Sequence, residues 1–375
     1  MSGKGFFAVS VPVLHRILEQ GGDAGDLMAY LVLAKHTTGW GKWKYQTSTA
    51  GAKAISKKTG LTYRQAQVRL DLLQKKGFIQ PGGAEGTPSH VTSETVHQRE
   101  ATKVRWLLGK LEDDRAYLAH SLIEGIGQGR QHPPLERLWD EVKLGPCTSV
   151  KEARADSLLL LIHCYAEQSI RDYGGINPNC LRGNWQEADT PYGLEDMNWL
   201  MMELEQPEES HQSASLDFVG KVLPHVPEGD RPNRFWNAFS NLRLLGFMYE
   251  VLQVWQDNPL ENPRAELFYP LYVLDYHARD SDPYCQRDIH GFLEQCGYLD
   301  GHDLYGPEGI IEEAQGGRKT FRILRTEGGR ECVIGTYRLR FRPSTEDTGR
   351  GMKEEGYRAE SWKQTLERAK QERAS

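Results

Sequence analysis

The sequence predicts a mainly α-helical chain with small β-hairpins, an α+β protein of several domains. Three observations carry this expectation. Apolar residues recur at helical spacing through much of the chain. Several of those helical runs stop at a glycine and lead into a short apolar strand. Charge is also unevenly shared along a chain of 375 residues, a length that accommodates two or three domains.

The elements of the first 110 residues follow in order. Residues 9–20 (VSVPVLHRILEQ) form a short helix closed by Gly21 and Gly22. A longer helix is expected at 26–38, where Leu27, Tyr30, Leu31 and Ala34 make a core-facing stripe. The loop GWGKWKYQTS follows, aromatic and basic, and Ser48 or Thr49 is placed to cap a helix over 50–59. Gly60 ends that helix, Thr62 caps the next over 63–76, and Gly77 ends it in turn. A strand begins at Phe78-Ile79-Gln80, residues 81–100 form a long polar loop, and TKVRWLL at 102–108 returns as a strand. This is the order of a winged helix, a helix-turn-helix with a β-hairpin wing.

Beyond residue 110 helices are expected near 112–125, 134–142, 150–173 and 194–205, giving a helical domain over 111–206. Residues 207–215 are a polar linker. A second winged-helix-like domain is expected over 216–300, because RLDLLQKKGFIQ at 69–80 and SNLRLLGFMYE at 240–250 share a Leu-bearing helix, a glycine, a Phe and an aliphatic residue. Its wing would run from Gly246 to a returning strand at 265–277. A short helix is expected at 286–299. Within 301–343, KTFRILRT and CVIGTYRLRF flank a Gly-Gly turn and are expected to pair as a basic hairpin, with Arg338, Arg340 and Arg342 alternating on one face. That face either lies along phosphates or is simply solvated. Residues 344–375 form a charged tail.

Residues 1–110 hold 16 Lys and Arg against 7 Asp and Glu, whereas the rest of the chain holds 30 against 45. A basic N-terminal domain on an otherwise acidic chain suggests a surface for a polyanion. A DNA-reading helix needs an apolar stripe for anchorage, outward polar side chains near its start, and a grip on phosphates. Ala66, Leu70 and Leu73 supply the stripe, with Ile55 on the preceding helix. Arg64, Gln65, Gln67 and Arg69 are the expected readers, since Arg bonds guanine and Gln bonds adenine bidentately. Lys57 and Lys58 in the hinge, Lys42 and Lys44 in the aromatic loop, and Thr62 with the helix-start amides are the expected phosphate contacts. Trp40, Trp43 and Tyr45 either stack on bases or plug a seam between helices.

The stretch TGWGKWKYQTSTAGAKAISKKTGLTYRQAQVRLDLLQKKGFI resembles the winged-helix domains of bacterial regulators of the MarR and GntR type. It is more similar still to the N-terminal domains of phage and plasmid replication proteins, which share the Gly-Trp loop, the Thr-Gly-Leu-Thr helix-turn and the Leu-x-x-x-Gly-Phe-Ile exit. The resemblance covers roughly residues 25–110. It implies a recognition helix at 62–76 and a wing at 78–108 that brings Arg99, Lys103 and Arg105 to DNA, although this wing loop is longer than is usual in the family.

Taken together, these features predict a sequence-specific binder of double-stranded DNA, acting as a dimer. Its expected role is that of a transcriptional regulator or accessory factor of a bacterial mobile element or defence locus. The alternatives are a plasmid or phage replication initiator or replisome organiser, and a protein-interaction scaffold working through the acidic two-thirds of the chain. An enzyme is not expected: there is no P-loop, GxSxG or HExxH pattern, and GIGQGR at 125–130 neither follows a strand nor leads to GK[ST]. No cofactor or metal is expected either, because Cys285, His290, Cys296 and His302 fit no standard zinc spacing. The longest apolar run, SLLLLIHCYA at 157–166, is too short to cross a membrane. The N-terminal segment lacks a signal-peptide layout. Six cysteines without a CxxC pair point to free thiols in a reducing cytoplasm.

Overall fold

The computed structural model describes residues 5–38, 46–81, 90–91, 103–104, 106–109, 111–125, 133–145, 148–184, 186–187, 192–194, 199–205, 212–262, 264–265, 267–274, 310–314, 318–326, 332–342 and scattered positions between 345 and 357. They are mixed α and β with small antiparallel sheets. The elements run β1 (Phe6–Ser10), α1 (Val11–Glu19), α2 (Ala24–Lys35), β2 (Thr37–Thr38), β3 (Gln46–Ser48), α3 (Ala52–Thr59), α4 (Tyr63–Lys75), β4 (Ile79–Pro81), β5 (His90–Val91), β6 (Lys103–Val104), β7 (Trp106–Leu108), β8 (Arg115–Ala119), α5 (His120–Glu124), α6 (Pro134–Asp140) and α7 (Val150–Ala166). They continue with β9 (Gln168–Ser169), α8 (Ile170–Tyr173), β10 (Gly175–Ile176), β11 (Leu181–Gly183), β12 (Gln186–Glu187), β13 (Tyr192–Leu194), β14 (Trp199–Glu205), β15 (Gln212–Ala214), α9 (Leu216–Val222), α10 (Arg231–Leu244), β16 (Met248–Trp255), β17 (Leu267–Leu274), β18 (Ile310–Ala314), β19 (Arg318–Thr326) and β20 (Cys332–Leu339). Two compact units result. One comprises Met1–Ala166, Val222–Leu245 and Phe341–Ser344; the other comprises Glu167–Lys221, Gly246–Arg340 and Thr345–Ser375.

The first unit is built around α2, which is buried from Ala24 to Ala34. Its start is fixed by a capping box in which the Asp23 and Asp26 side chains accept each other's backbone N–H. Helices α3 and α4 pack on it through Ile55, Ala66, Leu70 and Leu73, all buried. A four-stranded antiparallel sheet in the order β2-β3-β7-β4 closes this group, with Gln46 and Ile79 both opposite Leu108. The expected cap at Ser48 or Thr49 is not used: Gly51 is the N-cap of α3, which has no side-chain cap.

A correction concerns residues 112–125, expected as one helix. They form β8 followed by the short α5. Burial alternates along β8, with Ala116 and Leu118 inside and Tyr117 outside, and the strand pairs with β1 from Phe6↔Ala119 to Ser10↔Arg115. The period of two wins because a partner strand lies alongside. The long helix expected at 150–173 stops at Ala166 and gives way to β9 and α8. Inside α7 the buried Asp156 is held by α10, where Arg234 donates from Nε to Oδ2 at 2.7 Å and from Nη2 to Oδ1 at 2.9 Å. Asn241 of α10 bonds both the N–H and the carbonyl of Lys143, which pins the chain between α6 and α7.

The second unit carries a five-stranded sheet in the order β15-β11-β20-β16-β17. Its longest pairing joins β16 and β20 from Met248↔Leu339 to Trp255↔Cys332. A separate sheet runs β12-β14-β19-β18, with β13 also on β14. Two further expectations are corrected here. Residues 194–205, rich in helix formers, contain a strand: β14 pairs with β19 from Trp199↔Thr326 to Glu205↔Thr320, so long-range pairing overrides local propensity. The two runs expected as one basic hairpin do not pair with each other, because β19 lies between β14 and β18 while β20 lies between β11 and β16. The local helix-glycine-strand order expected at 234–256 is present as α10, Gly246 with φ of 69°, and β16, but α10 belongs to the first unit and β16 to the second. The returning strand is β17. The helix expected at 286–299, the aromatic loop with Trp40, Trp43 and Tyr45, and most of the tail lie outside the described residues.

Candidate nucleic-acid interface

Helices α3 and α4 meet at a tight turn. Gly60 closes α3 with a φ of 73°, a left-handed conformation that glycine adopts without strain. The buried Leu61 anchors the turn, and the Thr59 hydroxyl donates to the Ile55 carbonyl at 2.8 Å. Helix α6 braces the turn from outside: a Cβ on Gly60 would meet Glu136 Cγ at 3.1 Å and Trp139 Cδ1 at 3.3 Å. Trp139 is itself covered by the Arg154 guanidinium, 4.1 Å from the ring centre.

Helix α4 starts at a reciprocal capping box. The Gln65 N–H donates to the Thr62 hydroxyl at 3.2 Å, and the Thr62 N–H donates to the Gln65 carboxamide oxygen at 2.8 Å. With Ala66, Leu70 and Leu73 inward, a rotation of about 100° per residue carries Arg64, Val68, Asp71 and Lys75 to the opposite face and Gln67 to its edge. Arg64, Gln67, Asp71, Gln74 and Lys75 are all exposed. So are two apolar side chains, Tyr63 at 55% and Val68 at 48%. Lys53 and Lys57 are exposed on α3.

The expected site residues therefore divide. Lys57, Thr62, Arg64, Gln65 and Gln67 are each exposed on α3, α4 or the turn between them, with Gln65 and Thr62 engaged in the cap. Arg69 does not join them, which corrects its expected role as a reader. It lies on the flank of α4 that faces the start of α2, bonding Asp23 Oδ2 at 2.9 Å and Asp26 Oδ2 at 3.3 Å. Lys58 is half-buried and paired with Glu124, which also pairs with Lys35. Burial by itself would raise the Glu124 carboxyl, but hydrogen bonds from Lys35 and Lys58 hold it at about 2. His36 and His120 sit beside this cluster, and burial, then the Lys35 charge, lowers both imidazoles.

Arg338 is corrected as well. It is 1% exposed, and its Nε donates to the Gly174 carbonyl, which also accepts from the Gln253 carboxamide at 3.1 Å. Arg340 is half-buried, with its backbone N–H on the Phe247 carbonyl at 2.9 Å, and Arg342 is buried. With Arg338 and Arg342 buried, the expected alternation of three solvated arginines on one face is not realised. Lys42, Lys44, Arg99 and Arg105 lie outside the described residues, as do Cys285, His290, Cys296 and His302. The Lys103 backbone is described in β6, opposite Val91.

Sequence reasoning missed Glu124, Asp23 and Asp26, the acids that occupy Lys58 and Arg69. Angular position on α4 held the signal for Arg69; Glu124 reaches its lysines across long sequence separations and left none. Among the described residues no cluster of His, Cys, Asp and Glu is placed to hold a metal, and no helix is long and apolar enough to cross a membrane. Comparison with protein-family models, curated proteins and solved structures finds no match for this chain.

Proposed function

We propose that the protein binds double-stranded DNA sequence-specifically by laying the outward face of α4 in the major groove. The observation that carries this reading is that face itself. An amphipathic helix anchored by three apolar side chains presents Arg64 and Gln67, the two residue types best matched to guanine and adenine edges, with exposed Lys53 and Lys57 alongside for phosphates. The order α2, β3, α3, α4, β4, β7, with β7 lying between β3 and β4, supports a winged-helix arrangement in which β4 and β7 form the base of the wing. One such helix spans only a few base pairs, so the chain acts as a dimer or reads a repeated site.

Regulation of transcription at a mobile or defence locus remains the favoured role. A specific observation favours replication initiation as a second reading. In the second unit β20 lies between β11 and β16, the same first-last-middle strand order as β3-β7-β4. A second copy of this strand order would suit iterated origin sites, and binding to direct repeats in preference to a single promoter site distinguishes the two roles. The shared DNA-binding claim is tested by salt titration. Phosphate-driven binding weakens linearly in log salt, by about 0.9 in slope per neutralised phosphate, and Lys53→Ala with Lys57→Ala is expected to flatten that slope by about two. A slope that these changes leave intact would favour a protein scaffold.

A further inference from the structure

We infer that Val68 is a specificity-determining residue that recognises the 5-methyl group of a thymine close to the base pair read by Arg64. The inference rests on the proposed placement of α4 in the major groove and adds what that helix selects there. Val68 is 48% exposed in the middle of α4, where a β-branched residue is a poorer helix former than Ala. Packing does not require it: the anchoring side chains are Ala66, Leu70 and Leu73 on the other side. It is instead flanked by Arg64, Gln67 and Asp71, one turn before, one residue before and one turn after.

Each member of that face has a preferred partner among base edges. Arg bonds the guanine acceptors, Gln bonds adenine, a carboxylate accepts from the cytosine amino group, and an apolar side chain contacts only the thymine methyl. Asp71 also has an effect on placement. A carboxylate next to Val68 is repelled by phosphates, so this part of the face suits the groove floor better than the backbone. Val68 lies four residues from Arg64, about 6 Å along the helix axis. With base steps of about 3.4 Å, the thymine falls within about two steps of the guanine.

The test uses the intact chain and a duplex enriched by it from a random pool, resynthesised with deoxyuridine in place of thymidine at one position at a time. Loss of one methyl contact is expected to weaken binding about fourfold at one or two positions within two steps of a guanine. In Val68→Ala, which leaves the buried Ala66, Leu70 and Leu73 in place, thymidine and deoxyuridine are expected to bind equally at those positions, while Arg64→Ala still weakens binding. Equal binding of all uridine-substituted duplexes to the native chain would overturn the inference, and so would a uridine penalty that persists in Val68→Ala. If no duplex is enriched, or if Arg64→Ala binds as well as the native chain, the DNA-reading role of α4 fails and the inference with it.

Discussion

Arg64 and Arg69 are five residues apart on one helix and have opposite fates. A five-residue step turns the helix by about 140° beyond a full turn, which takes Arg69 off the outward face and onto the acids at the start of α2. In the proposed reading, the two residues therefore separate stability from recognition. Arg69→Ala leaves the buried Asp26 carboxylate without its guanidinium, and burial already raises the Asp26 carboxyl. The change is expected to cost about 1–3 kcal/mol in chemical denaturation while DNA affinity of the folded protein changes little. A large affinity loss at unchanged stability would return Arg69 to the reading face. Thr62, Arg64 and Gln67 were legible because helix caps and helix faces are local properties. Arg338 was not, because β20 is buried on both faces from Ile334 to Leu339, so alternation along it marks no solvent side.

At the scale of elements, the α2, α3, α4 group was legible to within two or three residues, since glycines and caps punctuate it. The failures have one cause. Residues 112–125 and β14 take their structure from strands far away in sequence, and helix-forming composition does not reveal those partners. The Glu124 cluster is also a long-range device, tying the end of α2 and the end of α3 to α5. It neutralises a lysine beside the proposed phosphate path. Glu124→Gln is expected to lower stability by about 1 kcal/mol or less, since the carboxylate is partly exposed and solvent screens its pairs. Release of Lys58 should meanwhile steepen the salt dependence of DNA binding by about one phosphate equivalent. Stability loss with an unchanged slope would mean that Lys58 lies away from DNA.

For the whole molecule, the first unit holds several half-buried imidazoles. His15 contacts His163 at 2.9 Å between α1 and α7, and burial, then the charge of His225, lowers its basicity. His36 and His120 are lowered in the same direction. A histidine whose folded pKa lies below its unfolded value of 6.5 favours folding when neutral. The contribution is therefore present above 6.5 and is lost as pH falls through the lower folded values. Tm is expected to fall between pH 7.5 and 5.5, and His15→Gln to reduce that fall. A Tm that is flat or rises on acidification would contradict the assignment. The division into two units was not legible, because each is assembled from three separate stretches of the chain. The charge asymmetry was legible, and it points to the unit that carries α4.

The central claim is that the outward face of α4 reads DNA. A mobility shift comparing the native chain with Arg64→Ala plus Gln67→Ala, on the enriched duplex and on a scrambled duplex of equal length, tests it most directly. Each bidentate base contact is worth about 1–3 kcal/mol, so the double variant is expected to lose at least about tenfold on the enriched duplex and little on the scrambled one. Equal binding of both proteins to the enriched duplex would contradict the account.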